Sequence, residues 1–109
     1  MANLLVVDDD QSIVESFREL FKDRHGVCSA SNGVEAIRCL RECKVDLVFL
    51  DYRMPGEDGL EVLKRIREVE NDAFVVMITA FGTYETIIQA ISLGAYDYIE
   101  KPLDIDKIT

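Results

Sequence analysis

Carboxylates follow two apolar segments of this chain. Three consecutive aspartates, residues 8–10, come directly after the run at 4–7, and Asp51 follows the run at 47–50. Carboxylates that converge repel one another unless a cation lies among them. A donor set made only of oxygens suits a hard cation, and Mg²⁺ binds through a few carboxylates with water completing its octahedron. If the two segments are neighbouring strands, these residues predict a magnesium site.

A hydroxyl and an amine follow two further segments. Thr79 comes after the run at 74–78, and Lys101 comes after the run at 96–100. A divalent cation, a lysine and a hydroxyl placed around a carboxylate could bind the oxygens of a phosphoryl group. The central carboxylate would then be the nucleophile and would form an aspartyl-phosphate. Each residue alone has an ordinary structural explanation, as when Asp10 caps a helix, but their occurrence after four segments favours one site.

The segments that must position these residues have the pattern of an α/β sheet. The runs at 4–7, 47–50 and 74–78 are almost continuously apolar, which is typical of central parallel strands covered on both faces. The more polar segments 27–30 and 96–100 are predicted as edge strands. Apolar residues at helical spacing predict four intervening helices, with stripes at Ile13, Phe17, Leu20 and Phe21; Val34, Ile37 and Leu40; Leu60, Leu63 and Ile66; and Ile87 and Ile91.

This alternation predicts a doubly wound parallel sheet with helices on both faces. Ligands bind beyond the carboxyl ends of the strands in such a sheet, which is where the polar residues fall. Ser12 and Glu15 predict a capping box at the start of the first helix, and Gly94 predicts a left-handed cap at the end of the fourth.

Composition limits the function classes. The 109 residues fit one domain, and a net charge of −9, from 21 acidic and 12 basic residues, argues against direct nucleic-acid binding by this domain. No apolar stretch approaches the roughly 20 residues that span a bilayer, and a signal-peptide pattern is missing, so we expect no membrane partner and a cytoplasmic location. Three cysteines without paired spacing, and a single histidine, are expected to be reduced thiols rather than a zinc site.

Four sequence blocks together resemble the signatures of response-regulator receiver domains of two-component signalling. They are LVVDD at 5–9, LDYRMPGEDG at 50–59, ITA at 78–80 and YIEKP at 98–102. The resemblance covers the whole chain and implies a flavodoxin-like, five-stranded sheet of order 2-1-3-4-5. Residues 1–109 are expected to form one receiver domain, the N-terminal part of a longer regulator. The pattern at 104–109 is typical of the first turn of a fifth helix only, so that helix is expected to be truncated.

The resemblance assigns a role to each residue of the site. Asp51 would accept the phosphoryl group, and Lys101 would pair with that group. Asp9 and Asp51 would bind Mg²⁺ directly together with the backbone carbonyl of Arg53, and Asp8 would act through water. The chain would therefore be a phosphoacceptor signalling domain that assists its own phosphorylation, rather than a separate enzyme.

The resemblance also implies a switch. Thr79 would hydrogen-bond the phosphoryl group and Tyr98 would turn inward, which changes the surface formed by the fourth helix and fifth strand. The bond before Pro102 would be cis. Arg53 and Phe81 stand where the family tunes hydrolysis of the phosphoaspartate, and because neither is an amide that could position water, we expect slow self-dephosphorylation.

Partners follow from the same resemblance. The phosphodonor would be a phosphohistidine of a sensor histidine kinase. Residues 80–86 and 93–98 are similar to the receivers of activators that work with sigma-54, in which an ATPase domain and a DNA-binding domain supply a transcriptional output. Oligomeric state is left open, with a homodimer among the alternatives.

Three other functions would explain parts of this pattern. A phosphohydrolase of the haloacid dehalogenase type would need an acid two residues after the nucleophile, where Arg53 stands. A flavodoxin-like cofactor binder would need a phosphate-binding loop after the first strand, where three aspartates would repel phosphate. A purely structural interaction domain leaves the acidic cluster unexplained.

Overall fold

The protein is described by a computed structural model that covers residues 3–21, 26–54, 56–69, 72–79 and 84–100. Five parallel strands form the main sheet, and when they are numbered along the chain their order is 2-1-3-4-5, which confirms the predicted doubly wound fold. The strands are β1 (Asn3–Val7), β2 (Gly26–Ala30), β3 (Leu47–Asp51), β4 (Phe74–Thr79) and β5 (Asp97–Glu100). A separate antiparallel ladder pairs Arg53–Met54 with Glu57–Asp58.

Helices cover both faces of the sheet. Leu63 of the third helix packs on one face within a core that also contains residues of the second and fourth helices, whereas Phe17 of the first helix packs on the other face against Phe49. The helices are α1 (Gln11–Phe21), α2 (Gly33–Glu42), α3 (Gly59–Val69) and α4 (Tyr84–Ser92). None of the described helices is long and apolar enough to cross a membrane. Residues 104–109, the predicted start of a fifth helix, lie outside the described ranges.

The central strands are buried because both of their faces are covered. Val7 of β1 and Leu50 of β3 are each 0% exposed, as is Met77 of β4. Burial on both faces is the reason that these strands are apolar without alternation. The edge strands β2 and β5 include half-buried and exposed positions, as their more polar sequences predicted.

The sequence prediction is wrong for the start of α1 and is confirmed for the end of α4. Helix α1 begins at Gln11, and Asp10 caps it: the backbone N–H and the hydroxyl of Ser12 donate to Asp10 Oδ1 at 2.9 and 2.7 Å. The predicted Ser12–Glu15 capping box is therefore wrong, because Ser12 lies inside the helix. Gly94 does adopt a left-handed φ of 108°, and the N–H of Ala95 donates across it to the carbonyl of Ala90 at 2.9 Å, which closes α4.

Two residues of the predicted apolar stripes face solvent. Val34 is 57% exposed, because α2 packs through Ala36, Ile37 and Leu40 instead. Ile91 is 48% exposed, whereas Ala90 beside it is fully buried. In both helices a small alanine, which permits close approach to the sheet, occupies the buried position.

Candidate metal centre at the carboxyl edge of the sheet

Strand register brings the predicted carboxylates together. Val7 pairs with Leu50 across β1 and β3, so Asp8 and Asp51 each follow the last aligned pair. One carboxylate oxygen from each of Asp8, Asp9 and Asp51 lies within 4.8 Å of the other two. Asp8 is 1% exposed and Asp51 is 4% exposed, whereas Asp9 is exposed to solvent. The site is therefore a shallow pocket with two carboxylates in its floor and one at its rim.

Backbone hydrogen bonds fix the loop that carries Asp8. Its N–H donates to the carbonyl of Ala30 on β2 at 3.0 Å, and its Oδ1 accepts the N–H of Asp10 at 2.9 Å. Asp10 turns its own carboxylate to the start of α1, which confirms its structural interpretation as a helix cap. Of the three consecutive aspartates, two face the pocket and the third holds the loop in place.

The turn after Asp51 is held between β4 and α3. The N–H of Tyr52 donates to the carbonyl of Ile78 at 2.8 Å, and the carbonyl of Tyr52 accepts the N–H of Gly59 at 2.7 Å. Arg53 is exposed and pairs with Asp58 in the short antiparallel ladder. Asp58 caps α3 by accepting the N–H of Leu60 at 2.8 Å.

The remaining predicted residues fall at the same edge or beyond the described chain. Asp51 pairs with Ile78, so Thr79, which is 1% exposed, lies one residue further along β4. Thr79 pairs with Glu100 of β5, and Lys101 is the next residue in sequence. Lys101, Phe81 and Pro102 lie outside the described residues. Tyr98 is half-buried on β5, with its hydroxyl 3.4 Å from Thr86 Oγ1.

The donor set fits a hard divalent cation. All three side chains offer carboxylate oxygens, and Mg²⁺ binds through such groups with water in its other positions. Two nearly buried carboxylates at this separation repel strongly in the absence of a cation, which favours metal binding. Within the described ranges, these aspartates are the only group of three acidic, cysteine or histidine side chains close enough to share an ion.

Two residues of this site received no role in the sequence prediction. Asp58 and Gly59 are part of the block at 50–59, but their contribution depends on how closely α3 approaches the turn after Asp51. The Asp-Gly pair before an apolar helical pattern was the available signal. The distance between two backbones is not encoded in that signal.

Comparison with known proteins gives consistent results. The family model described as the response regulator receiver domain matches residues 4–109. The chain is 37% identical over 106 residues to sporulation initiation phosphotransferase F of Bacillus subtilis, covering 96% of this chain and 86% of that protein. It is 39% identical over 107 residues to the transcriptional regulatory protein ZraR of Klebsiella oxytoca, covering 97% of this chain but only 24% of that protein.

A solved structure agrees with these relatives. A response regulator from Thermotoga maritima superposes with a TM-score of 0.89 at 35% identity, covering 99% of this chain and 91% of that one. The relatives include regulators of transcription, as the resemblance predicted. The phosphohydrolase and cofactor-binding alternatives are set aside, because the family match spans the residues on which they depended. The chain belongs to the response-regulator receiver domains of two-component signalling.

Proposed function

We propose that this receiver domain accepts a phosphoryl group on Asp51 from a phosphohistidine of a sensor histidine kinase, in a Mg²⁺-dependent reaction. The observation that supports the proposal is the convergence of Asp8, Asp9 and Asp51 within 4.8 Å at the carboxyl edge of the sheet. Asp51 comes from the central strand β3, so it lies between the acidic loop on one side and Thr79 on the other. That position is suited to a nucleophile with binding groups on both flanks.

The transfer would be an in-line displacement. A carboxylate oxygen of Asp51 forms a bond to phosphorus as the bond from phosphorus to the histidine nitrogen breaks, and the nitrogen keeps the electron pair. Asp9 and Asp51, with the backbone carbonyl of Arg53, would hold Mg²⁺ directly, and Asp8 would hold it through water. When bound, the metal supplies positive charge to the oxygens of the transferred group. Lys101 would add a second positive charge, and Thr79 would donate its hydroxyl.

Phosphorylation would then change the surface of α4 and β5. The new group carries about −1.5 to −2 charges at neutral pH, and Thr79 would move toward it while Tyr98 turns inward. Ile88 and Ile91 of α4 are 50% and 48% exposed, which leaves apolar surface available for a partner. The partner would be an output domain, such as the ATPase and DNA-binding domains of sigma-54 activators, or a second copy in a homodimer. Residues 1–109 would act as one receiver domain within that system.

Intact-mass spectrometry after incubation with acetyl phosphate tests the chemistry. The native chain should gain one phosphoryl group only in the presence of Mg²⁺, and Asp51→Asn should gain none. Asp72→Asn is the matched control, because Asp72 is exposed and lies before β4 at the opposite edge of the sheet. A full gain in Asp51→Asn, or a gain by the native chain in chelator, would contradict the proposal.

The role of Lys101 needs a separate variant. Lys101→Ala should slow phosphorylation or block the response of the output while Mg²⁺ affinity changes little. The measurements are the rate of mass gain and a calorimetric Mg²⁺ titration. Native rates and native output in Lys101→Ala would show that the lysine does not bind the phosphoryl group.

A further inference from the structure

Helix α3 begins directly against the backbone that carries Asp51. A Cβ atom placed on Gly59 would lie 2.7 Å from the carbonyl oxygen of Asp51 and 2.7 Å from the Cα of Tyr52. It would also lie 2.8 Å from the carbonyl oxygen of Tyr52. These neighbours are backbone atoms, so no side-chain rotation can make room. Any residue larger than glycine must push the turn and the helix apart.

Backbone conformation does not require a glycine at this position. Among the described residues, the glycines with positive φ are Gly56 and Gly94, and Gly59 is not one of them. Alanine forms helices more readily than glycine, so helix propensity alone would favour alanine here. Space is therefore the reason for glycine: it lets the first turn of α3 pack on the turn after Asp51.

We infer that Gly59 is a positioning residue for the metal and phosphoacceptor site, an inference that rests on the proposed function. The turn is held from one side by the bond from Tyr52 N–H to Ile78 and from the other by the bond from Gly59 N–H to Tyr52. Asp51 is almost fully buried between these two anchors. Asp51 is bonded directly to Tyr52, so we expect a displacement of either anchor to move the carboxylate as well.

Magnesium is sensitive to such a displacement. It demands near-ideal octahedral geometry at about 2.0–2.1 Å and tolerates little distortion. Two of the proposed ligands, the Asp51 carboxylate and the Arg53 carbonyl, belong to this turn. A shift of a few tenths of an ångström therefore acts on two ligands at once.

The test compares Gly59→Ala with Gly94→Ala. Gly94 is a matched control because a Cβ there would lie 2.8 Å from Arg67 Nε at a φ of +108°, so both substitutions crowd the fold. Gly94 lies near the amino end of the sheet, where the N–H of Tyr96 bonds to Val75, away from the acidic pocket. Each variant is folded in a stabilising osmolyte, and its Mg²⁺ dissociation constant and rate of phosphorylation by acetyl phosphate are measured on the folded protein.

Gly59→Ala should weaken Mg²⁺ binding about 10-fold or more, the usual effect of disturbing groups that orient metal ligands. Its phosphorylation should slow in parallel, whereas both quantities in Gly94→Ala should stay within about twofold of the native values. Native Mg²⁺ affinity in folded Gly59→Ala, or an equal loss in both variants, would overturn the inference. Failure of the native chain itself to bind Mg²⁺ or take up phosphate would instead overturn the proposed function.

A second variant decides the matter if Gly59→Ala does not fold. Asp58→Ala removes the bond to the N–H of Leu60 and loosens the start of α3 without adding atoms. It should weaken Mg²⁺ binding several-fold because the same anchor moves. An unchanged dissociation constant in Asp58→Ala would show that the start of α3 does not position the ligands.

Discussion

Replacing Asp51 with asparagine should stabilise the metal-free protein while it abolishes phosphorylation. The carboxylates of Asp8 and Asp51 are nearly buried and lie within 4.8 Å of each other, so their repulsion at an effective dielectric constant of 20 is about 3.5 kcal/mol. Asp9 is exposed, and the same separation in water gives about 0.9 kcal/mol. In the proposed site Lys101 would offset part of this repulsion, and an amide accepts weaker hydrogen bonds than a carboxylate. We therefore expect a net gain of about 1–3 kcal/mol.

Urea denaturation followed by far-UV circular dichroism measures this gain. In chelator, Asp51→Asn should unfold at higher urea than the native chain with the same slope, since the surface exposed on unfolding is unchanged. In Mg²⁺ at ten times its dissociation constant, the native chain should gain about 1.4 kcal/mol through binding to the folded state. Asp51→Asn should gain much less, so the difference between the two proteins should shrink or reverse.

Two results would refute this reasoning. A lower stability of Asp51→Asn in chelator would mean that the carboxylates are not in repulsive contact. A stability gain from Mg²⁺ that is equal in both proteins would mean that Asp51 is not a ligand. Asp72→Asn should stay within about 0.5 kcal/mol of the native chain in either buffer, as expected for an exposed substitution.

Three further predictions test the scaffold. Leu63→Ala should lower the free energy of unfolding, measured by urea titration, by about 2–5 kcal/mol, because Leu63 is 0% exposed in the core under α3. A loss below about 1 kcal/mol would contradict that packing. Arg67→Ala should lower the free energy of unfolding by about 1–3 kcal/mol and leave the Mg²⁺ affinity unchanged. The reason is that Arg67 donates to the carbonyls of Ala73 at 2.6 Å and Gly94 at 2.5 Å. Native stability in this variant would show that these bonds contribute nothing. Glu35 accepts hydrogen bonds from the Ser31 hydroxyl and N–H, which lower the pKa of its carboxyl. The stabilisation by ionised Glu35 should therefore be fully present above about pH 4.3, the ordinary pKa of glutamate, and should be lost as the pH falls through the lower pKa of the folded state. The urea midpoint of the native chain should exceed that of Glu35→Gln at neutral pH, and the two should converge once the pH has fallen far enough to protonate Glu35 in the folded state. A difference that stays constant with pH would argue against the lowered pKa.

The strands could be predicted from sequence because burial on both faces leaves a simple signature. Residues 4–7, 47–50 and 74–78 are apolar without alternation, and each run lies in a central strand that is mostly buried, although Phe74 at the start of the third run is 54% exposed. The carboxylates follow the first two of these runs directly, so the predicted carboxyl edge of the sheet also predicted the acidic pocket. Strand order itself came from the family resemblance, since apolar runs do not say which strands are neighbours.

Helix packing was less predictable because size and shape decide which residues approach the sheet. The helical spacing of Val34 and Ile91 predicted that both side chains are buried. The buried positions are occupied instead by Ala36 and Ala90. Hydrophobicity indicates the buried face of a helix only approximately, whereas a position at which the helix comes close to the sheet requires a small side chain. The role of Gly59 was missed for the same reason, since a contact between two backbones leaves no hydrophobic pattern.

The tight packing around the acidic pocket opposes the repulsion between its carboxylates. Asp8 and Asp51 come from strands that are separated by 43 positions in the sequence but are neighbours in the sheet, so folding itself brings like charges together. A loop free to move would relax that repulsion by moving the carboxylates apart. The bonds of Asp8 to Ala30 and Asp10, and the anchoring of the turn after Asp51 by α3, oppose such relaxation. A pocket that stays preorganised without metal retains its repulsion, and relief of that repulsion then adds to the affinity for a divalent cation.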